Sequence, residues 1–383
     1  MASLRSVRRG SLRVLLIAAL TGATGILATS DPALAATPTV SVTPPSLSLV
    51  GMRVHVAGFA QTVTVTNTGS VPVLMNGTGQ PCGTSVPCIA GANAADFNVT
   101  SNTCQHATIP VGQSCAFAVT YVPSRATPES ADVYIGDNAT GSPQMVPLTG
   151  RLYQYVRTSI GVFKAVTSVP LSIFNTVGIT SPIPVTRLSV LHHQPPFRYG
   201  KLAGSFFWGA EYCPYCAATR WGLIVALSRF GHFNKLYDMT SSATDVSPNS
   251  PTFTFFMTKY TSPFLVFNGY EVEGPTMAPH MTTPPSITRL VRKYNTYQAF
   301  PFLDIGNTAF LASSAWNPAY ISGQSRNAIA AGLRTPSLRL TKAIVAEANY
   351  ISSGICAVDG ELPARVCTSS GVVKADTVQH LAR

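Results

Sequence analysis

Charge is scarce in this chain. Only 11% of its 383 residues are Asp, Glu, Lys or Arg, whereas 46% are apolar. Acidic residues are the scarcer sign, 15 against 26 Lys and Arg, which leaves a formal net charge of +11. Such a composition and length supply apolar material for two cores of ordinary size, and two domains are expected. Beyond the N-terminal run that ends at Ala28, no stretch is long and apolar enough to cross a bilayer. No long run of Lys or Arg follows it and no basic-aromatic motif occurs, which argues against a nucleic-acid partner. The chain also lacks a Gly-x-Ser-x-Gly elbow, so the local signature of a Ser-His-Asp hydrolase is missing. It lacks a second pair of closely spaced cysteines beside Cys213 and Cys216, which removes the knuckle a structural zinc site needs.

What is present begins with an export signal. Arg5, Arg8, Arg9 and Arg13 precede the apolar run Val14 to Ala28, and Ala33-Leu34-Ala35 follows. Residues 1–35 read as a secretory signal peptide cleaved after Ala35, so a secreted or extracytoplasmic location is expected. Arg8-Arg9 with Leu12 loosely fits a twin-arginine signal, and an uncleaved membrane anchor is the other alternative. Eight cysteines in an exported chain are expected mostly as disulfides. The charge is uneven: residues 36–150 hold 2 basic and 4 acidic residues, residues 151–383 hold 20 and 10. This basic excess could hold the C-terminal part against anionic membrane or cell-wall polymer, although a general solubility charge is the simpler reading.

Residues 36–150 read as short strands between turn clusters, at Val40 to Val42, Gln61 to Thr66, Phe97 to Thr100, Cys115 to Tyr121, Asp132 to Ile135 and Met145 to Thr149. Alternation such as Val63-Thr64-Val65-Thr66 gives each strand one buried and one solvated face, and a β-sandwich follows. The segments Thr64-Val65-Thr66-Asn67-Thr68-Gly69, Ile109-Pro110-Val111-Gly112-Gln113-Ser114-Cys115, Val119-Thr120-Tyr121-Val122-Pro123 and Val146-Pro147-Leu148-Thr149-Gly150 resemble secreted immunoglobulin-like domains of the choice-of-anchor or ASPM-SPD-2-Hydin type. Cys104 with Cys115, and Cys82 with Cys88, are the expected structural disulfides here. Spacing alone leaves three pairings open, and a metal site would have only His106 nearby to complete it.

Residues 151–204 read as a connector and the start of the second domain. A short helix is expected within Val169 to Gly178, then extended chain through Pro182, Pro184, Pro195 and Pro196, with exposed His192 and His193.

The central motif is Cys213-Pro214-Tyr215-Cys216, between the strand-like Ser205 to Ala210 and an apolar helix running to Phe230, with Gly231 as the expected C-cap. A helix N-terminus stabilises a thiolate, Pro214 suits the first turn, and Cys216 stands one turn on. Cys213 is thus the expected nucleophile and Cys216 the resolving thiol. Strands at Thr252 to Phe256, Phe264 to Phe267, Phe302 to Ile305 and Thr308 to Ala312 alternate with helices at Ser286 to Tyr294, Arg326 to Leu333 and Ser337 to Ile351. This order around an early Cys-x-x-Cys reads as a thioredoxin-like α/β domain over residues 205–383, with an insertion between Lys235 and Gly274. Glu211 and Asp304 are acids that could move a proton, or lie in solvent and cap a turn respectively.

Gly209 to Ala218, Arg220-Trp221, Ala226 to Gly231, Gln194-Pro195-Pro196, Tyr260 to Pro263, Pro301 to Asn307 and Ala348-Asn349-Tyr350 resemble an uncharacterised thioredoxin-like family, domain of unknown function 929, across about residues 165–370. The resemblance implies a redox site and a cis-proline beside it, best matched by Pro301 with Pro263 as runner-up. Cys356 and Cys367 are expected to close a C-terminal loop as a structural disulfide. The functional expectation is an exported thiol-disulfide oxidoreductase of oxidase or isomerase type, needing no cofactor and acting on protein thiols or disulfides with a redox partner. The alternative is a secreted or cell-surface binding protein whose Cys213–Cys216 bond is inert.

Overall fold

The computed structural model describes residues 36–77 and 79–381, so the expected signal peptide over residues 1–35 lies outside the described residues. Eight strands form the main N-terminal sheets: β1 (Val40–Thr43), β2 (Leu47–Gly51), β3 (Gln61–Asn67), β4 (Cys88–Ala90), β5 (Phe97–Asn102), β6 (Ser114–Tyr121), β7 (Glu129–Ile135) and β8 (Gln144–Leu152). They make two four-stranded sheets, β1-β3-β6-β5 and β2-β8-β7-β4. The alternation in β3 sends Val63 and Val65 inward, and the register sets Val65 opposite Cys115 and Val63 opposite Phe117 on β6. Leu47 and Leu49 of β2, Val133 of β7 and Val146 of β8 close the same core from the other sheet. The two sheets are therefore packed face to face as a sandwich. Sulfur bridges join Cys82 to Cys88 and Cys104 to Cys115. β2 and β4 are absent from the expected strands because Pro44-Pro45 and Pro81, Pro87 flank them and obscure such short runs.

The chain then lays down α1 (Ile160–Thr167) and α2 (Leu171–Val177), whose Val162, Val166, Ile173, Phe174 and Val177 are buried in the C-terminal core. α2 ends at Gly178, whose φ of 58° suits glycine. The six-stranded sheet of the C-terminal half contains β9 (Ser189–Val190), β10 (Arg198–Tyr199), β11 (Leu202–Ala210), β12 (Leu265–Glu273), β13 (Phe302–Ile305) and β14 (Ala309–Leu311). β11 is central: β12 runs parallel to it, β13 antiparallel, and β14 pairs antiparallel with β13. Its near-continuous apolar run fits a strand covered on both faces. Phe207 and Leu303 face α3 (Pro214–Leu227) and α6 (Arg339–Asp359), while Phe206 and Phe302 face α4 (Pro285–Tyr294). The short α5 (Arg326–Gly332), α7 (Ala364–Cys367) and α8 (Ser370–Gln379) complete the helical side.

Two element ends differ from expectation for clear reasons. α6 runs eight residues past Ile351: Ser352 and Ser353 are tolerated in the core because they return their hydroxyls to the carbonyls of Ala348 and Tyr350, and Gly354 allows close approach of Leu188 and Ile305. α3 ends at Leu227 with Ser228 as C-cap, not at Gly231. Gly231 is required instead by the backbone carbonyl of Thr261, against which any Cβ would press. Among the described residues no single helix is long and apolar enough to cross a membrane. The third bridge, Cys356–Cys367, ties α6 to α7, and three disulfides are consistent with an extracellular protein.

Candidate functional site

Cys213 is the N-cap of α3: its Sγ accepts the backbone N–H of Cys216 at 3.2 Å, and Pro214 occupies the first turn, where no donor is lost. Cys213 and Cys216 are both unbonded and buried, Cys213 with 6% of its surface exposed and Cys216 with none. Cys216 Sγ accepts the amide of Ala210 at 3.5 Å. The Cys213 thiol faces the carbonyl of Phe300 at 4.0 Å, and the Phe300–Pro301 peptide is cis. Pro263 is not among the cis prolines. The arrangement thus brings Cys213, Cys216 and Pro301 together. Trp208, Tyr212 and Phe300 form an aromatic rim, with Trp208 and Phe300 ring centroids 4.7 Å apart, and Tyr215 is exposed.

The two thiols are electrostatically unequal. Cys213 is held below the ordinary thiol range, first by its hydrogen bond with Cys216 and then, against the opposing effect of burial, by the helix amides and the Arg220 guanidinium. Burial pushes Cys216 well above it. Such a pair offers one thiolate for nucleophilic attack and one protonated thiol beside it.

Beneath the start of α3, Arg220 is fully buried and bidentate to Glu271 of β12, at 3.0 and 2.5 Å, and gives a further bond to the Ala210 carbonyl at 2.8 Å. Sequence reasoning singled out neither role. The usable signal was the single cation in an otherwise apolar helix, which must find a buried partner. Glu211 also departs from the expectation of a solvated residue: it has no exposed surface. Its Oε2 accepts the Tyr155 hydroxyl at 2.7 Å and lies 3.8 Å from His280 Nε2. Burial and the neighbouring Glu271 carboxylate push Glu211 up to about 8, and burial lowers His280 to about 4. Near pH 7 this contact therefore joins two neutral side chains.

Asp304 is buried, and its Oδ1 accepts the amide of Asn307 in the turn to β14. Its ladder partner is Phe206, four residues before Ala210, so it stands away from the thiols. A fully buried acid that the sequence reading did not flag, Glu347 of α6, accepts Trp316 Nε1 at 2.7 Å. His192 and His193 are exposed. Among the described residues, no group of three or more His, Cys, Asp or Glu could hold a metal ion.

No curated protein matches the chain. Solved structures with low similarity include a protein of unknown function from Porphyromonas gingivalis W83, 17% identical over 32% of this chain and 51% of its own, TM-score 0.23. The secreted serine protease VesC from Vibrio cholerae is 13% identical over 36% of this chain and 27% of its own, TM-score 0.23. The PapD-like domain of human CEP192 is 12% identical over 37% of this chain and 99% of its own, TM-score 0.21. The chain thus spans about half the length of the first of these and about a quarter of the second. Residues 200–357, which carry both thiols, Arg220, Glu271 and Pro301, match the family described as Domain of unknown function (DUF929).

Proposed function

We propose that this protein is an exported thiol-disulfide oxidoreductase that works through Cys213 and Cys216. The observation carrying this reading is the open, unequal thiol pair at the N-terminus of α3, in a chain whose other three cysteine pairs are bonded. A thioredoxin-like reading of residues 205–383 is supported by the strand order β12-β11-β13-β14, by the cysteine-bearing helix after β11, and by the proline that opens β13 beside Cys213. The N-terminal sandwich is read as immunoglobulin-like, holding the enzyme near a surface or partner.

The Cys213 thiolate attacks a substrate disulfide, forming a mixed disulfide and releasing one substrate thiolate. Cys216 then loses its proton and attacks the Cys213 sulfur, expelling the second substrate thiolate and closing the Cys213–Cys216 bond. Two electrons have passed to the substrate, and the reverse sequence oxidises a substrate dithiol. The Pro-Tyr dipeptide between the cysteines points toward oxidase or isomerase work.

The test is the glutathione redox equilibrium of the mature protein followed by Trp208 or Trp221 fluorescence, with Cys213→Ala as control. The expected result is a potential above about −230 mV that vanishes in the variant, together with alkylation of Cys213 setting in below the usual thiol range of about 8.5. A bond that stays closed below about −300 mV would overturn the proposal and leave a binding protein with an inert disulfide.

A further inference from the structure

At the end of α3 far from the cysteines lies a cavity of about 310 Å³, a size in the lower range of ligand sites. Val169, Leu171, Phe174, Val225 and Val366 supply apolar walls, and Arg229 and the exposed Arg365 supply positive charge. Arg229 is largely enclosed. Its Nη1 donates to Asn349 Oδ1 and Ser352 Oγ and its Nη2 to Ser369 Oγ, each at 3.0 Å, and its guanidinium carbon stands 4.0 Å from the Phe174 ring centroid.

All three acceptors are neutral, and among the described residues no carboxylate pairs with Arg229. The same stretch of chain offers the contrast: Arg220, also buried, holds Glu271 in a bidentate pair. Burial alone acts on Arg229, lowering it to about 9, so it stays cationic at neutral pH without a counter-charge. Among the described residues its Nε has no hydrogen-bond partner and is not sealed from solvent, and Nη2 gives one of its two protons to Ser369, which leaves Nε–H and the second Nη2 proton for an acceptor.

We propose that this cavity binds a monocarboxylate with a short apolar chain. The carboxylate takes the free edge of Arg229, Arg365 closes the mouth, and the apolar part lies against Leu171, Phe174 and Val225. The hydroxyls lining the cavity argue for a carboxylate over a phosphate. Thr167, Ser168 and Ser228 already donate to the carbonyls of Phe163, Lys164 and Ile224, so no hydroxyl proton remains for a third or fourth oxygen.

Calorimetric titration of the full-length protein with octanoate, octanol and inorganic phosphate tests this. Octanoate is expected to bind once per chain and at least about tenfold more tightly than octanol or phosphate. Arg229→Gln should abolish binding. Because that variant also loses three structural bonds, Val225→Phe provides the second test: it fills the cavity, keeps Arg229, and should weaken octanoate at least about tenfold. Cys213→Ala should bind as the parent does, which separates this site from the thiol chemistry. No octanoate binding, equal binding of octanol or phosphate, or binding undiminished in Val225→Phe would each overturn the proposal.

Discussion

Two residues before Cys213, Glu211 has no solvent to ionise into. Its carboxyl is pushed up to about 8 from an ordinary 4.5, so the unfolded chain loses this proton first. The sign follows directly: the stability associated with Glu211 is fully present below the usual carboxylate range and is lost as pH rises toward 8. Glu211→Gln should therefore match the parent near pH 4 and exceed it by roughly 3 kcal/mol at pH 7, read from denaturant unfolding across that range. An unchanged difference across pH would contradict this assignment. Cys213 and Cys216 were legible because local spacing and a helix start are contiguous in sequence. Glu211's burial was not, because it depends on Tyr155 and His280, which lie 56 and 69 positions away. Arg220 stood between these cases: its need for a partner was readable from the helix, the identity of Glu271 was not.

At the scale of elements, α3 and α6 touch where Gly222 leaves room for Glu347. A Cβ on Gly222 would overlap the Glu347 carboxyl and its Cγ. Glu347 has no space to retreat, being fully buried and held by Trp316. Alanine would gain about 1 kcal/mol of helix propensity, but overpacking a dense core costs about 1–3 kcal/mol. Gly222→Ala is expected to lower the unfolding free energy by up to roughly 2 kcal/mol, and a stabilised variant would show that the helices can move apart. The strongly patterned elements, β3 and α4, carry their burial in their own alternation or period. α1 and α8 do not: their apolar faces are short, and only packing against α5 and α6 makes them helices worth forming.

At the scale of the molecule, the two halves are stapled separately. Replacing both Cys104 and Cys115 by alanine removes a bridge with a sequence separation of 11 from the sandwich. The expected loss is about 3 kcal/mol in the chain-entropy account. It should be confined to the unfolding transition of the sandwich, with the Trp221 fluorescence transition of the C-terminal half unmoved. A joint shift of both transitions would mean that the halves unfold as one unit. The segment between them bears on that outcome. The amide of Tyr153 is held by the Gly51 carbonyl on the sandwich side, the Tyr155 hydroxyl by Glu211, and α1 and α2 fill the C-terminal core. Residues 155–177 thus belong to the C-terminal half rather than forming a tether. A protease that cut at Ser205 would not release a finished domain. It would open a trough along α3 and α6 and strip Tyr155 from Glu211, leaving a proton-bearing acid facing water.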